Sequence, residues 1–186
     1  MNKDRFDIDF VEFTIKEDAE KVADVLLAEN PDVIGISVSI WNVEKSRELA
    51  AHLKQKKPDI ILIIGGPEVS YEPQFFIDNW DIDFVISGEG EFVLSELLES
   101  VRKVCKVYKE GRVGTRFLSS DILGSKGKNI PGVSHKNHIS PVVVQADINE
   151  LAKYPSPYQL ERDVEDLKNR MVYFESSRGC PYQCQY

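Results

Sequence analysis

The sequence has few cysteines and no long hydrophobic run. Its 186 residues include three cysteines, of which only Cys180 and Cys184 lie close together, so the paired framework of small secreted disulfide-rich domains is excluded. The longest aliphatic stretch, residues 60–64, is far shorter than the roughly 20 apolar residues that a membrane-spanning helix needs. The charged beginning, MNKDRFDIDF, contains no signal-peptide core. We therefore expect a cytoplasmic chain without a membrane partner.

Basic residues are also scarce. Lys and Arg total 23 against 31 Asp and Glu, the formal net charge is −8, and no cluster of cations is present that would neutralise phosphates. The composition argues against nucleic acid as a partner. With 42% hydrophobic residues, a chain of this length still has enough apolar surface for a folded core.

Strand-like and helix-like segments alternate from residue 6 to about residue 106. Short apolar runs predict four strands, each followed by an amphipathic segment that predicts a helix. The strand segments are 6–13, 33–40, 60–64 and 84–86. A nearly continuous apolar run such as 33–40 is typical of a parallel strand that is covered on both faces. The alternation predicts a doubly wound, mostly parallel α/β sheet of the flavodoxin-like type.

The regular alternation is lost from residue 107 onward. Glycines break residues 107–145 into short apolar pieces, which predict hairpins and loops, and the following residues to 170 are polar. A new apolar strand is predicted to begin at Met171. We therefore divide the chain into an α/β domain at 1–106, a hairpin and connector segment at 107–170, and the beginning of a further domain at 171–186.

Small residues follow three of the predicted strands. In doubly wound sheets, ligands bind where loops leave the carboxyl ends of the strands. Ser37 lies near one such end, Gly65 and Gly66 follow the next strand, and Gly88 and Gly90 follow the last. Glycines let a ligand approach the backbone and permit positive φ angles. Taken singly, each feature also fits ordinary turn chemistry or a core serine whose hydroxyl is bonded internally.

The last eleven residues, SSRGCPYQCQY, hold Cys180 and Cys184 in a CxxxC spacing after the strand predicted at Met171. Two thiolates at this spacing suit metal or cluster ligation. A bare CxxxC pair is equally compatible with a zinc site, a redox pair or coincidence. The pair by itself therefore leaves its chemistry open.

Three segments that occur in a fixed order carry a family resemblance: ISVSIWN, LIIGGPEVS and FVISGEGE. Together they resemble the cobalamin-binding domain of cobalamin-dependent radical S-adenosylmethionine proteins. The resemblance implies that Ser37 contacts the lower-ligand nucleotide of cobalamin. It also implies that Gly65 and Gly66 make room for the nucleotide tail and that Ser70 lines the same groove.

The GEGE segment is similar to that of proteins such as the anaerobic magnesium-protoporphyrin IX monomethyl ester cyclase. The resemblance implies that Gly88, Glu89 and Gly90 lie beside the corrin ring or its amides. Glu89 also fits a simpler interpretation, because an acidic residue close to the N-terminus of a helix is favoured by the helix dipole.

The resemblance also assigns the cysteine pair. Members of the family bind a [4Fe-4S] cluster through CxxxCxxC on the loop after the first barrel strand, and Cys180 and Cys184 match its first two cysteines. The open iron of such a cluster binds S-adenosylmethionine, whose reductive cleavage yields a 5′-deoxyadenosyl radical. We expect that the third ligand and the rest of the barrel are missing from this chain, which is then inactive alone. The implied parent reaction is radical methyl transfer or an oxidative cyclisation or rearrangement.

Two features depart from the family pattern. The sequence has no DxHxxG motif, whose histidine binds cobalt in many cobalamin domains. The strand predicted at 6–13 matches the family's second strand, so we expect a chain shortened at both ends. Because unpaired strand edges attract other strands, the 6–13 strand should pair directly with 33–40, in a 2-3-4-5 order, or join another copy in a strand-exchanged dimer.

Alternative functions stay open at this point. Without DxHxxG, the same fold is compatible with a structural, ligand-binding or regulatory module that holds no cobalamin. A receiver-like domain or a nucleotide binder would use the same sheet. The loops carry glycines instead of the clustered acids of a receiver, and the first strand-to-helix turn lacks the GxGxxG of dinucleotide binders.

Overall fold

A computed structural model of the chain describes residues 5–109, 122–123 and 129–154. These residues form two compact units, one ending at Gln145 and one beginning at Ala146. The helices and strands of the first unit are, in chain order, α1 (Ala19–Ala28), β1 (Val33–Ser37), α2 (Val43–Lys56), β2 (Ile61–Gly65), a 3₁₀ turn (Pro67–Val69), α3 (Pro73–Asn79), β3 (Phe84–Ile86), α4 (Val93–Lys109) and β4 (Val133–Ser134). The described part of the second unit contains the one-turn helix α5 (Ile148–Leu151). No helix in the described ranges is long and apolar enough to cross a membrane.

The sheet has the strand order β1-β2-β3-β4. β1, β2 and β3 are parallel neighbours, and β4 pairs with β3 in the antiparallel direction. The predicted α/β class with a mostly parallel sheet is therefore confirmed. The strand predicted at Met171 and the cysteine pair lie outside the described residues, and the predicted domain boundaries stay predictions.

Helices cover both faces of the sheet. One face packs against α1 and α2, with a cluster formed by Ala23, Ile34, Ala50, Leu53, Ile60 and Leu62. The other face packs against α4, and its buried side chains include Ile61, Ile63, Phe84, Ile86, Val93 and Leu97. Phe84, Leu53, Leu62 and Leu97 are fully buried, and each such side chain stabilises the fold by about 1.5–3 kcal/mol. This two-sided core explains why the strands are apolar on both faces.

The strand predicted at 6–13 is wrong. These residues form no strand in the structure, and Ile8 and Phe10 are 58% and 73% exposed. The predicted 2-3-4-5 order therefore fails at its first position, because no strand in the described residues pairs with the outer edge of β1. The alternation of apolar residues with Asp7 and Asp9 specifies only one apolar face, and such a segment needs a sheet partner to become a strand. The strand-exchanged dimer stays a prediction.

The start of α1 shows how local signals shift by a few residues. Thr14 and Glu17, which have the spacing of a capping box, form a reciprocal pair, since the Thr14 amide donates to Glu17 Oε1 at 2.7 Å and the Glu17 amide donates to the Thr14 carbonyl at 3.1 Å. This pair closes a turn before the helix. Asp18 is the actual N-cap, because its carboxylate accepts from the amides of Glu20 and Lys21. The pKa of Asp18 is lowered, mainly because its carboxylate accepts the hydrogen bond from the Lys21 amide.

Candidate functional site

The carboxyl edge of the sheet brings together the three loops that were predicted to hold a ligand. The register of the parallel strands places Ser37 beside Gly65, and Gly65 beside Ile86. The loop after β1 (first loop, 38–42), the loop after β2 (second loop, 66–72) and the loop after β3 (third loop, 87–92) therefore leave the sheet side by side. This is the edge at which open α/β sheets bind their ligands.

Asn42 shapes the first loop. Its side-chain amide donates to the Ser37 carbonyl at 2.9 Å, and its carbonyl oxygen accepts from the Ser39 amide at 2.7 Å. Asn42 is the N-cap residue of α2, yet its side chain bonds to none of the helix amides. Ser37 is left exposed at the end of β1. The side chain of Asn42 thus fixes the loop backbone and leaves the Ser37 side chain open to solvent.

The two glycines of the second loop have different surroundings. Gly66 has φ +115°, and a Cβ atom on it would lie 2.4 Å from the Val38 carbonyl oxygen. Only glycine tolerates this conformation and this approach. A Cβ atom on Gly65 would instead meet Ile86 at an ordinary 3.7 Å. The packing of the protein therefore requires Gly66 to be glycine, whereas nothing in the packing requires it of Gly65.

Ser70 is buried in the second loop, with 3% of its surface exposed. Its hydroxyl donates to the Gly66 carbonyl at 2.7 Å and accepts from the Gly88 amide at 2.9 Å. The resemblance implied that Ser70 lines a ligand groove. In the structure, its hydroxyl instead links the second loop to the third.

The third loop is held by three separate parts of the chain. The Ser87 amide donates to the Gly132 carbonyl at 2.8 Å, the Gly88 amide donates to Ser70, and the Glu89 amide donates to the Val144 carbonyl at 2.8 Å. The Val144 amide donates back to the Ser87 carbonyl at 3.0 Å. The three successive amides at 87–89 are therefore engaged within the protein, although the resemblance implied that this segment faces a corrin.

Gly88 is required by the contact with residue 144. It has φ +91°, and a Cβ atom on it would lie 2.1 Å from the Val144 carbonyl oxygen. Gly132, with φ +81°, is packed in the same way, since its Cβ would lie 2.5 Å from the Val144 Cγ2 atom. A Cβ on Gly90 would make only an ordinary 3.8 Å contact with Ile86. Sequence reasoning missed Gly132 and Val144, because nothing local marks a segment that returns to a distant loop.

Exposed apolar side chains project from the first two loops. Ile40, Trp41 and Tyr71 are 76%, 72% and 80% exposed. A cavity of ≈ 430 Å³ opens beside the first loop, and Ile15 and Glu68 are among its other lining residues. Sequence reasoning did not single out these aromatic residues, although Trp41 directly follows the apolar run and Tyr71 directly follows Ser70. They give the open part of the edge a surface suited to a large, partly apolar ligand.

His135 directly follows β4, the strand that pairs with β3. It is 4% exposed, its ring meets Phe84 edge-on with centroids 6.0 Å apart, and its Nε2 atom has no hydrogen-bond partner. Burial, and secondarily the nearby His138, lower the pKa of His135 below its ordinary value of 6.5. The ring is thus a neutral packing group at pH 7. The described residues contain no cluster of three or more His, Cys, Asp or Glu side chains that would hold a metal ion.

The geometry described above belongs to a known class of domain. Residues 1–98, more than half of the chain, match the family described as the B12 binding domain. The chain therefore belongs to the B12-binding domain family, as the resemblance of its three loop segments predicted.

Three relatives extend the similarity beyond this domain. The chain is 28% identical over 165 residues to the cobalamin-dependent radical SAM methyltransferase TokK of Streptomyces tokunonensis, and the match covers 84% of this chain and 22% of that protein. It is 28% identical over 167 residues to the 2-(S-pantetheinyl)-carbapenam-3-carboxylate methyltransferase of Streptantibioticus cattleyicolor, with the same two shares. An uncharacterized methyltransferase of Pyrococcus horikoshii is 23% identical over 171 residues, which are 89% of this chain and 33% of that protein. The chain thus spans about a fifth of the first two relatives, and the similarity to the magnesium-protoporphyrin cyclase stays a prediction.

Proposed function

We propose that the carboxyl edge of this domain holds cobalamin for a radical S-adenosylmethionine methyltransferase of which the chain is a part. The observation that carries the proposal is the exposed Ser37 beside Gly65, a glycine that the protein's own packing does not require, at the end of the paired strands β1 and β2. Membership in the B12-binding family and the names of the relatives support the same cofactor and reaction class.

The open part of the edge fits a bulky cofactor tail and ring. Ser37 is exposed. A Cβ atom on Gly65 would make only ordinary contacts, so the protein's own packing does not require a glycine there. The exposed Ile40, Trp41 and Tyr71 offer apolar contact area beside this space. A hydroxyl, a bare backbone and aromatic faces are the groups by which a site binds a ligand with amides, a phosphate and a planar ring.

Each of these groups has a distinct task in the proposal. The Ser37 hydroxyl donates a hydrogen bond to a polar group of the nucleotide tail, and Gly65 lets the tail approach the backbone of β2. The aromatic side chains cover the ring and exclude water from it. The first, second and third loops contain no histidine, so they supply no imidazole to cobalt. Cobalamin, when bound, supplies a cobalt that carries a methyl group or changes its redox state.

The cluster chemistry belongs to the same proposal. Cys180 and Cys184 would ligate a [4Fe-4S] cluster that binds S-adenosylmethionine, together with the third cysteine of the CxxxCxxC pattern. The methyl transfer of the parent would require the barrel that completes this cluster site. We propose that the 186-residue chain binds the corrin but performs no methyl transfer alone.

A titration with hydroxocobalamin tests the cofactor. The purified chain is mixed with hydroxocobalamin, passed through a desalting column and scanned for corrin absorbance in the protein fraction. We expect corrin to remain with the wild-type chain and the binding to weaken at least tenfold in Gly65→Val, because the added side chain fills the space at the strand end. Ser100→Ala, on α4, is the control and should bind as the wild type does. Absence of corrin from the wild-type protein fraction would contradict the proposal.

A second function is favoured by one observation. The amides of Gly88 and Glu89 and the Ser70 hydroxyl, which the resemblance implied to face the cofactor, are engaged by the protein. Such a closed loop suits a domain that keeps the fold without cobalamin and acts as a ligand-binding or regulatory module. A wild-type chain that folds but retains no corrin would support this alternative.

A further inference from the structure

Ser70 joins the second and third loops of the carboxyl edge. Its single hydroxyl makes two hydrogen bonds, one to the carbonyl of Gly66 and one from the amide of Gly88. Ser70 is 3% exposed, whereas Gly66 and Gly88, whose backbone groups bond to it, are half-buried. The backbone groups of two separate loops thus depend on one side-chain oxygen.

The two loops are each fixed elsewhere by a second contact. Gly66 lies against the backbone of Val38 in the first loop, and the Val38 amide donates to the Gly65 carbonyl at 2.7 Å. Gly88 lies against the backbone of Val144. Ser70 is therefore the side-chain link between the open part of the edge, where Ser37 and Gly65 lie, and the covered part at 87–89.

We infer that Ser70 is a positioning residue, which holds the second and third loops at the spacing that the cofactor needs and does not touch the cofactor itself. This inference rests on the proposed function. It differs from the role implied by the family resemblance, in which Ser70 lines the groove. The strands beneath the link are already joined, because β2 and β3 pair from Ile63 and Phe84 up to Gly65 and Ile86. Loss of the hydroxyl should loosen the loops while the sheet stays folded.

The physical reason is that two half-buried backbone groups share one partner. Without the hydroxyl, the Gly88 amide and the Gly66 carbonyl both lose this partner, and a backbone group that water does not fully reach is costly to leave unpaired. The loops relieve this cost by moving apart until water reaches the two groups. The cofactor then meets an edge that is no longer preformed. Its apparent affinity is the intrinsic affinity multiplied by the fraction of time that the loops spend in the competent arrangement.

Three variants of the full 186-residue chain test the inference. Ser70→Ala removes the hydroxyl, Ser70→Thr keeps it, and Ser100→Ala removes a hydroxyl that also donates to a carbonyl four residues earlier, that of Glu96 at 3.1 Å, but lies on α4. Hydroxocobalamin affinity is measured by absorbance titration, and exchange of the Gly88 amide hydrogen is followed by NMR. We expect Ser70→Ala to weaken hydroxocobalamin binding at least tenfold and to speed Gly88 exchange. Ser70→Thr should restore both, and Ser100→Ala should change neither.

The possible results separate this inference from the proposed function. If the wild type binds hydroxocobalamin and Ser70→Ala binds it equally well, the positioning role is overturned. The same conclusion follows if Ser100→Ala weakens binding as much as Ser70→Ala does. If the wild type binds no corrin, the proposed function fails and the exchange data decide alone: faster Gly88 exchange in Ser70→Ala with protected amides in β2 upholds the link between the loops, and unchanged exchange overturns it.

Discussion

The carboxyl edge of the sheet has two halves with the same kind of sequence and opposite surroundings. The half after β1 and β2 is open, with Ser37 exposed and only ordinary contacts around Gly65. The half after β3 is covered by residues 132–144, which engage its amides and lie against Gly88. Both halves carry a glycine pair, GG or GEG, yet only part of each pair has a packing reason in the protein. The comparison shows that a glycine motif indicates a place where another group comes close to the backbone. The motif does not indicate whether that group is a ligand or another part of the protein.

The largest effect should come from Gly88→Ala in the covered half. The new Cβ would lie 2.1 Å from the Val144 carbonyl oxygen in a residue with φ +91°, so strain and overpacking act together. We expect the free energy of unfolding, measured with urea, to fall by about 3 kcal/mol or more. Gly90→Ala is the matched control, because its Cβ makes only a 3.8 Å contact, and its loss should stay below about 1 kcal/mol. Equal losses in the two variants would refute the assignment of Val144 as the reason for Gly88.

A slightly smaller difference should separate the two glycines of the open half. Gly66→Ala places a Cβ 2.4 Å from the Val38 carbonyl oxygen at φ +115°, and we expect a loss of about 2–3 kcal/mol in urea unfolding. Gly65→Ala should be neutral or stabilising by about 0.5–1 kcal/mol, because alanine loses less backbone entropy than glycine in a strand. If Gly65→Ala is as destabilising as Gly66→Ala, the packing requires glycine at both positions, and the distinction between them is wrong.

The smallest effect should come from pH and should act on the covered half alone. The pKa of His135 is lowered by burial and by His138, so the unfolded chain binds a proton more readily than the folded one. Stability from this group is complete above pH 6.5, the ordinary histidine value, and is lost as the pH falls from there through the lower pKa of the folded state. Urea unfolding between about pH 5.5 and 7.5 measures the loss.

His135→Leu is the control for this prediction. A leucine keeps an apolar contact with Phe84 and does not titrate, so the variant should be less sensitive to pH over the same range. In the wild type, the protection of the amides at 87–89 against hydrogen exchange, corrected for the intrinsic effect of pH, should fall at the lower pH while protection in β2 does not. A variant with the full pH dependence of the wild type would remove His135 from the explanation.

Local patterns predicted most of the fold well. The apolar runs at 33–40, 60–64 and 84–86 coincide with β1, β2 and β3 to within a few residues, and a helix follows each of these strands as predicted. Such runs are reliable predictors because a parallel strand that is buried on both faces is apolar at nearly every residue. The 6–13 segment failed because its alternation specifies one apolar face, and a strand also requires a neighbouring edge that the sequence does not specify.

The structure brings the residues of the candidate site to one edge of the sheet, and their contact with a ligand stays a prediction. Ser37, Gly65, Gly66, Ser70, Gly88, Glu89 and Gly90 all fall in or beside the three loops that the sheet brings together. Their division into open and engaged positions could not be predicted, since Ser70 and Gly88 look like ligand contacts in the sequence. The partner that engages the third loop, Val144, is distant in the chain, and no periodicity connects it to Gly88.

The sequence by itself determined the parallel strands and the helices that cover them, because hydrophobic periodicity depends on neighbouring residues. The alternation of strands and helices then indicated the carboxyl edge of the sheet as the place of the candidate site. Only the tertiary structure decided which glycines serve the protein's own backbone and which leave room for a cofactor. The physical reason is that a φ angle, a Cβ contact and the partner of a buried hydroxyl are set by segments that meet only after the chain has folded.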